Sequence, residues 1–138
     1  MIDALYDQAI LQRARQAIGA GRLDAPDGSA MIDNPLCGDR VTIDLTLSGG
    51  TVATLGHVVR GCVLCEASAA LIAEKAIGQD PAALRAIAAA IRPMLREGAD
   101  PPWPELEIFT PVRTVRSRHD CVELPFRALT AALDAAGV

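Results

Sequence analysis

The apolar positions at the start of the chain, Ile2, Leu5, Tyr6, Ala9 and Ile10, recur at i, i+3, i+4, i+7 and i+8, with Asp3, Asp7 and Gln8 between them. That spacing predicts an amphipathic helix running to about Ile18, where Gly19 and Gly21 end it. From Val41 to Leu47 the period changes to two, Val-Thr-Ile-Asp-Leu-Thr-Leu, which predicts a strand with one apolar face and one wet face. Ser48-Gly49-Gly50 supplies a turn, and the Val- and Thr-rich run from Thr51 to Arg60 completes an antiparallel hairpin. Gly56 is expected as a bulge, or as a break that divides this run in two. Before the hairpin, Leu23 to Pro35 reads as an irregular connection, because Asp24, Pro26, Asp27, Gly28, Asp33 and Asn34 are all turn formers.

After Gly61 the period becomes 3.6. Leu64, Ala67, Leu71 and Ile72 predict a helix from Cys62 to Ile77, with Cys62 in its first turn and Gly78 as its stop. Asp80-Pro81 is a cap followed by proline at the first helical position, opening a second helix through Leu84, Ile87, Ile91 and Leu95 that Pro93 weakens or ends. Residues 97–111 are loop-prone, with Trp103 expected as a hydrophobic plug. A terminal helix follows from Val122 to Ala136; Asp120 and Glu123 have capping-box spacing, and Pro125 is tolerable only within about the first turn. Together these elements predict an α+β domain with a small antiparallel sheet, a single unit over residues 1–138.

Composition narrows the function. The 138 residues are 51% apolar but 3% aromatic, so the core is expected to be Ala, Val, Leu and Ile, and the net charge of −4 argues against nonspecific nucleic-acid binding. The first residues show no basic stretch followed by an apolar run, and no segment approaches a membrane span, so no membrane is expected as a partner and the protein is read as cytoplasmic. In a reducing compartment its four cysteines are better read as metal ligands, sulfur carriers or buried small residues than as structural disulfides.

The candidate chemistry begins at Asn34-Pro35-Leu36-Cys37-Gly38-Asp39, where a glycine lets one turn offer a thiolate and a carboxylate to the same point. Cys62 lies 25 residues on and Cys121 a further 59, both predicted at helix starts, where amide N–H groups favour thiolate. Three sulfurs and one oxygen suit tetrahedral zinc, and such a thiolate-rich site equally suits an iron–sulfur cluster. The separations are not those of a zinc finger or ribbon, so spacing alone leaves the shared site open.

Three blocks, Asn34-Pro35-x-Cys37-Gly38-Asp39, Gly61-Cys62 followed by Ala67-Ser68, and Arg118-x-x-Cys121-x-x-Leu124, resemble in order the signatures of the U-type iron–sulfur cluster assembly scaffolds, the IscU, SufU and NifU N-terminal-like proteins. The resemblance implies a three-stranded antiparallel sheet packed with helices and a metal site at one end. It also points to the SufU-like branch. Arg118 stands three residues before the third cysteine, and the Asp80 to Leu95 helix resembles that branch's insertion; the IscU branch has histidine immediately before this cysteine, where this chain has Asp120. The implied ligands of Zn(2+) are Cys37, Asp39, Cys62 and Cys121. Cys37 is then the acceptor of persulfide sulfur from a cysteine desulfurase, Cys121 an alternative acceptor, and Arg118 a supporting cation. Whether the chain is a zinc-dependent sulfurtransferase or a non-enzymatic scaffold stays open at this point. In the scaffold alternative, iron or a [2Fe-2S] cluster is built on Cys37, Cys62 and Cys121 and passed to downstream scaffold or carrier proteins.

Cys65 departs from the resemblance. Cys62-Val63-Leu64-Cys65 is a C-x-x-C at a helix start, which permits three readings: a buried small residue, a redox or sulfur-relay partner, or a metal ligand. Read as redox, the pair makes the chain a thiol oxidoreductase; a purely structural zinc is the remaining rival. His57 is expected as a hydrogen-bonded, partly buried strand residue. His119 is expected in a surface loop, or as a substitute ligand or proton relay. Arg113, Arg116 and Arg118 read as a solvated basic run that leads into Cys121.

Overall fold

The structure is a computed structural model that describes residues 7–36 and 38–138. Helix α1 covers Gln8–Gln16, capped by the Asp7 carboxylate, which accepts from the Ala9 amide at 2.9 Å, and it buries Ile10 and Ala14. It ends at Gln16, just short of the expected Ile18, because Ala17 turns left-handed at φ 47°. The predicted start of this helix at Ile2, Leu5 and Tyr6 lies outside the described residues.

Three antiparallel strands, β1 (Gly28–Asn34), β2 (Asp39–Ser48) and β3 (Thr51–Arg60), form a sheet in the order β1-β2-β3. The third strand is therefore not the product of a break at Gly56. It is the segment expected to be irregular, and β3 runs unbroken through Gly56. The register irregularity falls instead between Thr46 and Leu47. Gly56 is small for another reason: a Cβ there would lie 2.5 Å from the Gly21 carbonyl oxygen. The segment after α1 runs along β3, with His57 N–H donating to the Gly19 carbonyl at 3.0 Å and Gly21 N–H to the His57 carbonyl at 2.8 Å.

Val41, Ile43 and Leu45 of β2 are fully buried, as their alternation predicts. The opposite face is not wet throughout. Asp44, between two of them, is also fully buried, and it accepts from Arg22 Nε at 2.6 Å, Arg22 Nη2 at 3.2 Å and Leu23 N–H at 3.0 Å, with Ser29 Oγ as a further donor. This clamp folds the 19–27 segment over the sheet. Burial alone would raise the Asp44 pKa, but Arg22, Ser29 and the Leu23 amide outweigh it and hold the carboxyl below its ordinary range.

Helix α2 (Val63–Lys75) is apolar on nearly every side, and it buries Leu64, Cys65, Ala67, Ser68, Ala69, Ala70, Leu71, Ile72 and Ala73, so it is the core helix. Helix α3 (Pro81–Glu97) starts at the predicted Asp80 cap, which accepts from the Ala83 amide at 2.7 Å. It continues through Pro93 for another turn. The Ala89 carbonyl, which Pro93 leaves without an amide donor, belongs to an exposed residue, and Gly98 closes the helix at φ 71°. Residues 104–114 and 116–118 are 3₁₀ turns, and Trp103 before them is buried with its ring 6.0 Å from that of Phe126, the expected plug.

Helix α4 (His119–Ala135) packs on β1, β2, α2 and α3. It begins earlier than predicted. Its N-cap is Arg118, not Asp120, so the expected Asp120/Glu123 box is not its cap, and Pro125 lies in the second turn. The Cys121 carbonyl, four residues back, therefore has no helical amide donor, and the Cys65 thiol supplies one at 3.0 Å. Among the described residues no helix is long and apolar enough to cross a membrane.

Candidate metal centre

Three elements meet at one end of the sheet. Asp39 opens β2, Cys62 is the N-cap of α2, and Cys121 is the third residue of α4. The turn before Asp39 is clasped at Asn34, which is buried: its carbonyl accepts Gly38 N–H at 2.8 Å and its Oδ1 accepts Leu36 N–H at 3.0 Å. Gly38, at φ 76°, makes the reversal that delivers Asp39. Gly61 leaves room for the Asp39 carboxylate beside Cys62, since a Cβ there would lie 2.7 Å from Asp39 Cγ and 2.9 Å from Oδ1.

One donor atom from each of Asp39, Cys62, Cys65 and Cys121 lies within 4.8 Å of the others. Asp39, Cys62 and Cys121 are thus brought together. Cys37 lies outside the described residues. Cys65 joins the group from the first turn of α2, fully buried, with its thiol donating to Asp39 Oδ2 at 3.3 Å as well as to the Cys121 carbonyl. The spacing Cys62-x-x-Cys65 was the available signal; what it could not show was that both sulfurs face Cys121, nor that Pro125 would leave a carbonyl for Cys65 to satisfy.

The sulfurs share protons unequally. Interaction with the Cys121 and Cys65 thiols, with the amides of Cys65 and Leu64, lowers the Cys62 pKa against the cost of burial. Cys121 is raised, chiefly by its interaction with Cys62, and Cys65 is raised by its interactions with Cys121 and Cys62 and by burial. So the expectation that every helix-start cysteine favours thiolate holds for Cys62 only while protons bind the sulfurs together. A thiolate flanked by two thiol donors is the arrangement a soft cation replaces when it takes the place of the protons. Three sulfurs and a carboxylate fit zinc by donor type and number.

Arg118 is at this centre. Its pKa is raised, first by interaction with the Cys121 sulfur and then by the charges of Cys62 and Asp39, so the guanidinium stays charged. Arg113, by contrast, donates to the Met94 carbonyl at 3.1 Å and the Ala99 carbonyl at 3.2 Å, a structural tie. His119 is buried and not in a surface loop; its Nε2 faces the carbonyls of Val112 at 3.1 Å and Arg113 at 3.0 Å, and it is not among the grouped donors. His57 is the expected hydrogen-bonded strand histidine, with Nε2 2.8 Å from the Ile18 carbonyl and its pKa lowered by burial.

The family described as NifU-like N terminal domain matches residues 5–100. The iron–sulfur cluster assembly scaffold protein IscU of Thermotoga maritima is 35% identical over 75 residues, 54% of this chain and 53% of that protein. The zinc-dependent sulfurtransferase SufU of Bacillus subtilis is 31% identical over 81 residues, 57% of this chain and 53% of that protein. The chain spans about half the length of these curated relatives. The crystal structure of a nitrogen-fixing NifU-like protein (N-terminal) from Brucella abortus superimposes with a TM-score of 0.90 at 32% identity, over 99% of this chain and 96% of that one, so the likeness extends through Cys121. A structure from Fervidobacterium islandicum, assigned to the SUF system's cluster assembly scaffold, shares the fold at 21% identity, with a TM-score of 0.85 over 95% of this chain and 98% of that one. The fold, the order of its three signature blocks and the match over most of its length make this chain a member of the NifU-like N terminal domain family, to which iron–sulfur cluster assembly proteins belong.

Proposed function

We propose that this domain is a cytoplasmic iron–sulfur cluster assembly protein of SufU type, which accepts sulfur on Cys37 beside a zinc site and has a cysteine desulfurase as its partner. The observation that carries the reading is the convergence of Asp39, Cys62 and Cys121 from three elements. Arg118 and the α3 insertion between the second and third cysteines support the SufU branch. Bound zinc would keep these sulfurs deprotonated at neutral pH and fix their spacing. In the transfer itself the Cys37 thiolate attacks the outer sulfur of the desulfurase persulfide. A new S–S bond forms at Cys37, the persulfide S–S bond breaks, the proton travels with the transferred sulfur, and the desulfurase cysteine leaves as thiolate. Arg118 is suited to hold the incoming sulfur's charge, and Cys121 is the alternative acceptor.

The likeness to a protein named as an IscU scaffold favours a second reading, in which a [2Fe-2S] cluster is cargo on Cys37, Cys62 and Cys121. A thiol oxidoreductase using Cys62 and Cys65 is disfavoured, because Asp39 and Cys121 converge on the same two sulfurs. The test measures cysteine desulfurase turnover with this protein, zinc-loaded and zinc-free. Stimulation by the zinc form is expected; no stimulation by either form contradicts sulfur acceptance, and a brown, iron-containing protein as purified would favour the scaffold.

A further inference from the structure

Cys65 belongs to none of the three signature blocks, yet it is the most deeply buried cysteine of the described cluster. Its Sγ is within 4.8 Å of a donor atom on each of Asp39, Cys62 and Cys121. Tetrahedral zinc with Zn–S bonds of about 2.3 Å sets sulfurs about 3.8 Å apart. Side-chain rotations of about 1 Å therefore bring these four donors onto one ion. Two of the sulfurs, Cys62 and Cys65, are already fixed one turn apart at the start of a 13-residue helix in the C-x-x-C spacing that chelates zinc elsewhere.

We infer that Cys65 is a metal ligand, so that Asp39, Cys62, Cys65 and Cys121 hold zinc as a complete set of three sulfurs and one oxygen without Cys37. A bound ion would take the place of the thiol protons, and the Cys121 carbonyl would give up the Cys65 donor. The inference rests on the reading of Cys37 as sulfur acceptor for its consequence. With five candidate donors for four positions, Cys37 can carry sulfur while the zinc keeps a full shell from this chain, and no partner residue has to fill a vacancy.

The competing role for Cys65 is structural, as donor to the Cys121 carbonyl, and serine separates the two because its hydroxyl can donate but is a poor zinc ligand. The experiment loads Cys37→Ser and the Cys37→Ser/Cys65→Ser pair with Co(II), reads the thiolate charge-transfer band, and measures zinc affinity by chelator competition, with circular dichroism as the fold control. The Cys37→Ser protein is expected to bind stoichiometric metal. The double variant should lose about a third of the band, three thiolates becoming two. Its zinc affinity should fall by more than about 100-fold, beyond the usual loss for a residue that only orients ligands. An unchanged band and affinity on adding Cys65→Ser overturns the assignment, as does loss of all metal from a folded Cys37→Ser protein. Desulfurase stimulation by the unaltered chain is measured in parallel. Its absence beside a Cys65-dependent band contradicts the sulfur-acceptor reading and leaves Cys65 a ligand.

Discussion

Proline in the second turn of α4 removes the amide that would pair with the Cys121 carbonyl, and the Cys65 thiol donates to that oxygen at 3.0 Å in a fully buried setting. In metal-free protein, Cys65→Ala leaves the carbonyl without a donor. An unsatisfied buried acceptor costs about 1–3 kcal/mol, and a thiol is a weak donor, which places this one at about 1 kcal/mol. Removing the sulfur from a packed helix adds about 1 kcal/mol. The sum, about 2 kcal/mol, corresponds to a fall of several degrees in Tm. Cys65→Ser keeps a donor and should cost less than about 1 kcal/mol. The carbonyl term is isolated by a double-mutant cycle with Pro125→Ala, whose restored amide can take the carbonyl over. Cys65→Ala should then cost about 1 kcal/mol less than in the unaltered background, while the packing loss cancels. Urea unfolding in the presence of a chelator measures all four proteins. Additivity within about 0.3 kcal/mol would refute the claim that proline and thiol serve the same oxygen.

Three further outcomes follow from other contacts. Asp44→Asn should destabilise the domain by about 2 kcal/mol in thermal or urea melts, because a neutral amide replaces a buried, charged acceptor of several hydrogen bonds. Because the folded Asp44 carboxyl is held below its ordinary value, its stabilisation is complete above about pH 4 and is lost as pH falls through the folded value. The stability gap between Asp44→Asn and the parent should therefore close toward acid, and a gap that widens there would contradict the sign. Gly61→Ala places a methyl 2.7 Å from Asp39 Cγ; the carboxylate can swing aside, so Tm should hardly change while zinc affinity by chelator competition falls about tenfold or more. Arg118→Ala should retain zinc and fold but reduce desulfurase stimulation by about tenfold, with partial rescue by Arg118→Lys, since the charge facing the Cys121 sulfur is what it supplies.

Much of this fold is legible in the sequence where the signal is local. The Val41 to Leu47 alternation, the Asp80-Pro81 helix start and the shift of period at Cys62 depend on neighbouring residues and match the structure. Strand β1 was hidden because Gly28, Asp33 and Asn34 are turn formers and Met31 is exposed; its strand character comes from pairing with β2 and from α4 lying across Gly28, neither of which is local. Asp44 looked like a wet-face residue because Arg22, which covers it, is 22 positions away in the chain. The start of α4 was misplaced for a related reason. The Asp120/Glu123 spacing, with Pro125 tolerable only in the first turn, points to a later start, but Cys65 across the core makes the earlier one tolerable by satisfying the carbonyl. At the site, Asp39, Cys62 and Cys121 could be named from residue type and helix starts, whereas the inclusion of Cys65 required knowing which way the first turn of α2 faces.

The central claim is a thiolate-rich metal centre at the end of the sheet, and zinc K-edge X-ray absorption on the purified protein addresses it directly. The account predicts stoichiometric zinc with about three sulfurs at about 2.3 Å and one oxygen at about 2.0–2.2 Å. A shell of nitrogen and oxygen alone, or zinc retained unchanged when Cys62 and Cys121 are both replaced by serine, would contradict it.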